Sequence, residues 1–122
     1  MRSLIVPLLL AGPALADTCG AVPDRSDELA ALIEQAAEAP DAATGRDLSD
    51  AMWQIWADAP DARAQDLLDS AMARREMYDY PGALAAAEAL IDYCPEYAEG
   101  YNQRAFVNFL RADYEAALPD LE

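Results

Sequence analysis

A short motif occurs twice in the second half of this chain. The stretch DYPGAL runs from Asp79 to Leu84, and DYEAAL runs from Asp113 to Leu118. The two copies lie 34 residues apart in the sequence. The same offset aligns further positions without a gap: Ala64 with Ala98, Leu67 with Tyr101, and Ala71 with Ala105. Unrelated helices can share an apolar period, but they do not share a fixed register of cap, aromatic and small residue. The repeat therefore predicts two copies of one structural unit.

Helical spacing of apolar residues dominates the rest of the chain. We expect Ser26 to cap a first helix, DELAALIEQAAEA. Thr44 followed by Asp47 resembles a capping box for a second helix, RDLSDAMWQIWADA. A third helix is predicted to open at Asp61 or Arg63 and to run to about Met77. No stretch alternates with the period of a strand, so the predicted fold class is all-α.

The motif itself predicts where the later helices begin. Asp79 would cap a fourth helix whose first turn contains Pro81, where a missing N–H costs nothing. That helix would stop near Cys94. A fifth helix carries Tyr101 to Leu110, and a sixth would begin at about Asp113 and continue to Glu122. The chain then consists of antiparallel helical hairpins, which must stack because one hairpin cannot bury its own apolar face.

The repeat period of about 34 residues and the motif residues resemble those of the tetratricopeptide repeat (TPR) family. The resemblance implies a short α-solenoid, a right-handed superhelix of hairpins. It places a repeat at 64–97, an incomplete second repeat at 98–122 and a degenerate N-terminal hairpin at 26–60. Because such stacks need about three repeats, we expect the natural chain to continue past Glu122. The resemblance assigns packing between helices to Leu67, Ala71, Tyr80, Ala83, Pro95, Tyr101, Ala105, Tyr114 and Ala117.

In this family, the first helices of successive repeats line a concave groove that accepts peptides or partner helices. Carried over to this chain, the groove would contain Leu68, Met72, Arg75, Asn102, Phe106 and Phe109. The sequence leaves two alternatives open. Either phenylalanine could pack between hairpins instead, and Arg74 and Arg75 could pair with neighbouring acidic residues.

The segment from Met1 to Ala16 has the organisation of a secretory signal peptide. Arg2 precedes an apolar run from Leu4 to Ala11, and Ala14-Leu15-Ala16 supplies a cleavage site. We expect cleavage after Ala16, an extended strap at 17–25 and no membrane insertion of the mature chain. A composition rich in Ala and free of Lys points to a GC-rich bacterium, and hence to the periplasm.

The mature chain would keep two cysteines, Cys19 and Cys94. In an oxidising compartment one pair favours one disulfide, which would pin the strap to the end of a helix. Two free thiols or an intermolecular bridge are the alternatives. A catalytic dithiol is not predicted, because the cysteines lie far apart in sequence.

Two tryptophans, Trp53 and Trp56, stand three residues apart in the second predicted helix. At that spacing they share a helix face, which we expect to be turned towards the next hairpin. Packing between hairpins is the favoured role, and stacking against a ligand is the alternative.

The composition excludes several classes of activity. The chain has 23 acidic and 8 basic residues, a net charge of −15 and no histidine. Such a surface repels phosphate backbones, so no nucleic-acid partner is predicted. Glycine-rich phosphate loops, nucleophile elbows and metal-spaced cysteine sets are missing from the sequence. Carboxylate pairs such as Asp66 with Asp69 are expected on solvated faces. We predict no enzyme activity, no catalytic or metal-binding residue and no cofactor.

The predicted function is therefore a scaffold or adaptor that binds a protein or peptide partner outside the cytoplasm. An acidic, partly aromatic groove would suit a basic or apolar segment. One alternative is an accessory repeat domain of a larger cell-envelope enzyme or assembly complex. Another is a purely structural oligomer.

Overall fold

The computed structural model describes residues 18–122, and all the regular secondary structure in this part of the chain is helical. Four long helices form two antiparallel pairs, α1 with α2 and α3 with α4, and a fifth helix packs on the second pair. The helices are α1 (Ser26–Ala37), α2 (Ala42–Trp56), α3 (Ala62–Glu76), α4 (Tyr80–Tyr93), α5 (Ala98–Leu110) and α6 (Tyr114–Ala117). No strand is present in residues 18–122, so the all-α prediction is confirmed.

Aspartate residues begin most of these helices. Asp41, Asp61, Asp79 and Asp113 each accept a hydrogen bond from the backbone N–H three residues later. This contact satisfies one of the donors that a helix start leaves without a partner. The predicted cap of α4 by Asp79 is confirmed, and Pro81 lies in the first turn as expected.

The predicted caps of the first two helices were wrong. Ser26 is the first residue inside α1, and its hydroxyl donates to the carboxylate of Asp24 at 2.6 Å. Thr44 lies inside α2, where its backbone N–H donates to Asp41 at 2.8 Å. At α2 the aspartate three residues earlier is the cap, because a carboxylate accepts more strongly than a hydroxyl group. At α1 the residue before the helix is Arg25, which makes no capping hydrogen bond with its side chain.

The turn after α3 and the turn after α5 have the same backbone geometry. Tyr78 and Ala112, which are equivalent positions of the repeat, both have positive φ angles, 62° and 61°. The next backbone N–H, of Asp79 or Asp113, reaches back to the carbonyl of Arg74 or Asn108 at 2.9 Å in each case. This is the pattern of a Schellman motif, which ends a helix and turns the chain. The sequence repeat is thus a repeat of structure at the hairpin turn.

The core lies between α3, α4 and α5. Leu68 and Leu90 are completely buried and pack with Cys94 and Tyr97. Close approach of α5 to α4 depends on Gly100, where a Cβ atom would lie 3.0 Å from Cγ1 of Ile91. A small residue at this position lets the two helix backbones come together.

The residues assigned to repeat packing fall into three groups by burial. The four small ones, Ala71, Ala83, Ala105 and Ala117, are buried. Leu67, Tyr80 and Tyr101 are half-buried, whereas Pro95 and Tyr114 are exposed. Pro95 follows the C-terminal cap of α4. Tyr114 does not bury its ring between hairpins as the resemblance implies; the ring is exposed and lies beside that of Phe109, with 5.7 Å between the centroids.

The last helix is much shorter than expected. The α-helical hydrogen-bond pattern ends at Ala117, and a single 3₁₀ turn follows at Leu118–Asp120. Pro119 explains the change, since it has no N–H to donate to a preceding carbonyl. An ion pair between Arg104 and Asp120, with 2.6 Å between Nη2 and Oδ1, holds this turn against α5.

The first hairpin is attached more loosely than the others. Neither α1 nor α2 contains a completely buried residue. The hydroxyl of Tyr97 donates to the carbonyl of Trp56 at 2.5 Å, and the guanidinium of Arg25 lies 3.5 Å from the carboxylate of Asp58. These contacts surround the connection between α2 and α3, so the hairpin is held mainly at one end.

Candidate protein-binding surface

The N-terminal strap is fastened to the end of α4 by a disulfide between Cys19 and Cys94, whose Cα atoms are 5.2 Å apart. The predicted pairing is confirmed. Asp61, the cap of α3, joins the same cluster: it accepts the backbone N–H of Gly20 at 2.7 Å and the hydroxyl of Tyr93 at 3.0 Å. The two sulfur atoms are bonded to each other, so they offer no thiolate to a metal ion.

An Asp61→Ala variant should melt at a clearly lower temperature than an Asp41→Ala variant. Both changes remove a helix cap, but only Asp61 also holds the strap. Hydrogen bonds from the backbone N–H of Ala64, which has the larger effect, and of Gly20 keep the pKa of Asp61 below its ordinary value of 3.8. Its contribution should therefore be present above pH 4 and be lost as the pH falls through the lowered pKa. Thermal melts of both variants between pH 2 and pH 7 test this, and equal losses would contradict it.

An apolar depression of about 280 Å³ lies between α5 and the chain that follows it, and we call it the α5–α6 hollow. Its lining consists of Asn102, Ala105, Phe106, Phe109, Tyr114, Ala117, Leu118 and Leu121. The large apolar side chains in this set are exposed; Leu118, for example, is 57% exposed. Exposed apolar groups gathered in one depression are typical of an interaction site.

In the preceding repeat, 64–97, the surface that corresponds to the α5–α6 hollow is covered by α5. The repeat offset relates the lining of the hollow to Leu68, Ala71, Met72, Arg75, Tyr80, Ala83, Leu84 and Ala87. Leu68 and Ala87 are completely buried there, whereas their counterparts in the hollow, Asn102 and Leu121, are exposed. The burial of Leu68 and Ala87 follows because α3 packs on α4 and α5 covers the pair. In the last unit, no described segment takes the position that α5 takes on the unit before it.

The structure brings together half of the predicted groove residues. Asn102, Phe106 and Phe109 line the α5–α6 hollow. Arg75 reaches the edge of this group, with its guanidinium carbon 4.8 Å from the centre of the Phe106 ring. Met72 is half-buried against the core. Placing Leu68 in the groove was wrong, because this side chain is completely buried beside Leu90.

A polar network crosses from α3 to the first turns of α5. The guanidinium of Arg75 donates to the side-chain carbonyl of Gln103, and the amide nitrogen of Gln103 donates to Glu99 at 2.7 Å. Asn102 donates to the same oxygen of Glu99 at 2.8 Å. Arg74 instead pairs with Asp79 at 2.7 Å. The sequence left open that both arginines pair with acidic residues. Arg74 does so, whereas Arg75 donates to the amide of Gln103.

Glu99 is an unusual residue to find at this place, because it is ionisable and only 6% exposed. Burial raises its pKa above the ordinary value of 4.5, while Gln103, Asn102 and Arg75 oppose the shift. Its position in the first turn of α5 also favours a negative charge. Sequence reasoning missed Glu99 and Gln103; their spacing of four residues was the one local signal.

A second depression, of about 310 Å³, adjoins Glu99, and we call it the indole hollow. It is lined by Trp53, Trp56, Ala98, Glu99 and Asn102. The two tryptophans thus face the start of α5, which belongs to the repeat at 98–122, whereas the sequence predicts that they face the next hairpin, 64–97. Asn102 lines both hollows, which are therefore neighbours on α5.

Comparisons with protein-family models, with curated proteins and with solved structures gave no match. The predicted signal peptide lies outside residues 18–122 and stays a prediction. Within those residues, none of the helices combines the length and the apolar character needed to span a bilayer. The disulfide is compatible with an oxidising environment outside the cytoplasm.

Proposed function

We propose that this chain is a secreted, periplasmic adaptor of the TPR type, without enzymatic activity, that binds a helix of a partner protein in the α5–α6 hollow. The observation that carries the proposal is the exposed apolar lining of that hollow on a repeating helical framework. The partner helix would take the position over α5 and α6 that α5 takes over α3 and α4.

The shape and apolar character of the hollow define one side of the partner helix. Aromatic rings of Phe106 and Phe109 and the side chains of Leu118 and Leu121 would contact apolar residues spaced three and four apart. Burial of exposed aromatic and leucine side chains at the centre of an interface supplies much of the binding free energy.

The charge of the chain defines the other side of the partner helix. The net charge is −15, and the exposed acidic residues Asp113, Glu115 and Glu122 belong to the segment that forms the hollow. A partner helix that carries Lys or Arg on its polar face is attracted to this surface, and an acidic helix is repelled. The proposed occupant is therefore an amphipathic, basic helix.

A photo-reactive residue placed in the hollow tests the proposal. We would replace Leu118 with p-benzoylphenylalanine in the mature protein and cross-link in the cell-envelope fraction of the source organism. Ile33, 56% exposed on α1, is the matched control position. The expected result is a cross-link from position 118, absent from position 33, to an amphipathic segment that contains Lys or Arg. A cross-link to a second copy of the chain would overturn the adaptor proposal in favour of self-association. A cross-link to residues that follow Glu122 in the natural protein would overturn it in favour of a further repeat of the same chain.

The cross-linked segment should then bind in isolation, as a synthetic peptide measured by calorimetry. Leu118→Asp should weaken this binding at least about tenfold, because it places a charge in the apolar centre of the contact. Ile33→Asp should leave the affinity unchanged. Equal affinities for the Leu118→Asp variant and the unaltered protein would overturn the assignment of the hollow.

A further inference from the structure

The indole hollow combines two kinds of group that attract cations. Trp53 and Trp56 are the two tryptophans of the chain, and both line this depression. The face of an indole ring carries partial negative charge and holds cations more strongly than the rings of Tyr or Phe. Glu99 lies on the opposite wall, at the start of α5.

One oxygen of the Glu99 carboxylate is available for a further partner. Oε1 accepts both amide hydrogen bonds, from Gln103 at 2.7 Å and from Asn102 at 2.8 Å. Oε2 accepts no hydrogen bond from residues 18–122. In that part of the chain no polar side-chain atom that is fully enclosed lacks a partner. Oε2 must therefore keep an open side, although Glu99 as a whole is more than nine-tenths buried.

The walls of the indole hollow supply no basic side chain that could pair with Oε2 of Glu99. No arginine is among its lining residues. Trp56 and Glu99 also line a neighbouring depression beside the strap. Arg25 lies in its wall, but the guanidinium of Arg25 pairs with Glu28 and Asp58. Arg75 acts on Glu99 from the α3 side, where its guanidinium is held by Gln103 and the Phe106 ring.

The chemistry of the walls selects an organic cation over a metal ion. Calcium and magnesium require six or more oxygen ligands, and here one carboxylate and one side-chain amide face two indoles. An alkylammonium or guanidinium group needs one carboxylate, and either cation can lie against the face of an indole ring. The guanidinium is the more weakly hydrated of the two and therefore the easier to bring out of water. A depression of about 310 Å³ is large enough for such a head group.

We propose that the indole hollow binds an organic cation, an alkylammonium or guanidinium group, that lies against Trp53 and Trp56 and pairs with Oε2 of Glu99. This site is separate from the apolar contact in the α5–α6 hollow, and it does not depend on the proposed function. The cation has two possible sources: the side chain of a Lys or Arg in a bound protein segment, or a free amine.

Intrinsic fluorescence measures this binding directly, because every tryptophan of the chain lies in the site. We would titrate the disulfide-bonded protein with the methylamides of Nα-acetyl-lysine and Nα-acetylarginine. The neutral control is the methylamide of Nα-acetylnorleucine, which has the same carbon stem as lysine. The expected result is a saturable change in emission with a Kd on the order of 1 mM for the cations. An equal response to the norleucine derivative would overturn the proposal.

Substitution of the carboxylate supplies a second test. Glu99→Gln keeps the shape and the acceptor for Asn102 and Gln103, and it should weaken binding of the lysine derivative about tenfold or more. Glu96→Gln removes an exposed acid just before α5 that does not line the indole hollow, and it should change the affinity less than twofold. Thermal melting confirms that both variants are folded. Unchanged affinity in Glu99→Gln would overturn the proposal.

Two further probes assign the source of the cation. A short peptide with a central Lys should bind at least about tenfold more tightly than the blocked amino acid if the natural cation belongs to a protein segment. Tetramethylammonium should bind as tightly as the lysine derivative if the site takes a free amine. Either result supports a cation site, and the lack of a saturable response to any of the cations overturns it.

Discussion

Replacement of Leu68 by alanine should lower the free energy of unfolding by about 2–5 kcal/mol, the usual cost of truncating a fully buried leucine. Leu68 has no exposed surface and packs among Ala64, Leu90 and Tyr97 in the centre of the molecule. Surrounding helices can close the resulting cavity only in part, because α3 and α4 are already in close contact. Urea denaturation with the disulfide intact measures the change.

The matched control for this variant is Ile33→Ala. Ile33 is also a large aliphatic residue on a long helix, but it is mostly exposed, so its truncation should cost less than about 1 kcal/mol. The comparison also distinguishes two roles for Leu68, a residue of the core and a residue of the binding groove. A groove residue would leave stability unchanged and weaken partner binding when truncated, and that pattern would contradict the burial in the core.

The second large effect is expected from removing the disulfide in a Cys19→Ser, Cys94→Ser double variant. The bond joins residues separated by 75 positions. In the chain-entropy model, closing a loop of this length stabilises the folded protein by about 4 kcal/mol. For a domain of about 100 residues, a loss of that size lowers the melting temperature by roughly 15–30 °C.

Differential scanning calorimetry of the double variant and of the reduced natural protein measures this loss. The two should melt at similar temperatures, because each lacks the same covalent link. The hydrogen bonds from Gly20 to Asp61 and from Tyr93 to Asp61 would remain possible, but the strap would no longer be forced to make them. A shift of less than about 5 °C would show that these contacts hold the strap without the bond.

The elements that could be predicted from the sequence are those that depend on local chemistry. Asp79 and Asp113 begin helices because their side chains reach a backbone N–H only three residues away. The repeat offset carries through to the two hairpin turns, since each turn needs a residue in the left-handed region followed by a cap. The caps of α1 and α2 were missed because several neighbouring polar residues could have served.

The candidate sites were only partly predictable. Asn102, Phe106 and Phe109 share one face of a single helix, so their proximity follows from helical spacing. Leu67 and Leu68 are adjacent, and the direction from which α4 and α5 approach decides which of them is buried. Leu118 and Leu121 line the α5–α6 hollow because of the 3₁₀ turn at Pro119, which shortens the last helix.

The first five helices, their repeat and the favoured pairing of the two cysteines follow from the sequence alone, because propensity, capping and an oxidisable pair act locally or through composition. Packing of the hairpins, by contrast, sets which surfaces of residues 18–122 remain exposed. It placed Glu99 between Gln103 and the two tryptophans, and within residues 18–122 no further helix covers the α5–α6 hollow. Such features depend on distances between separate helices, and those distances are fixed only when the hairpins pack together.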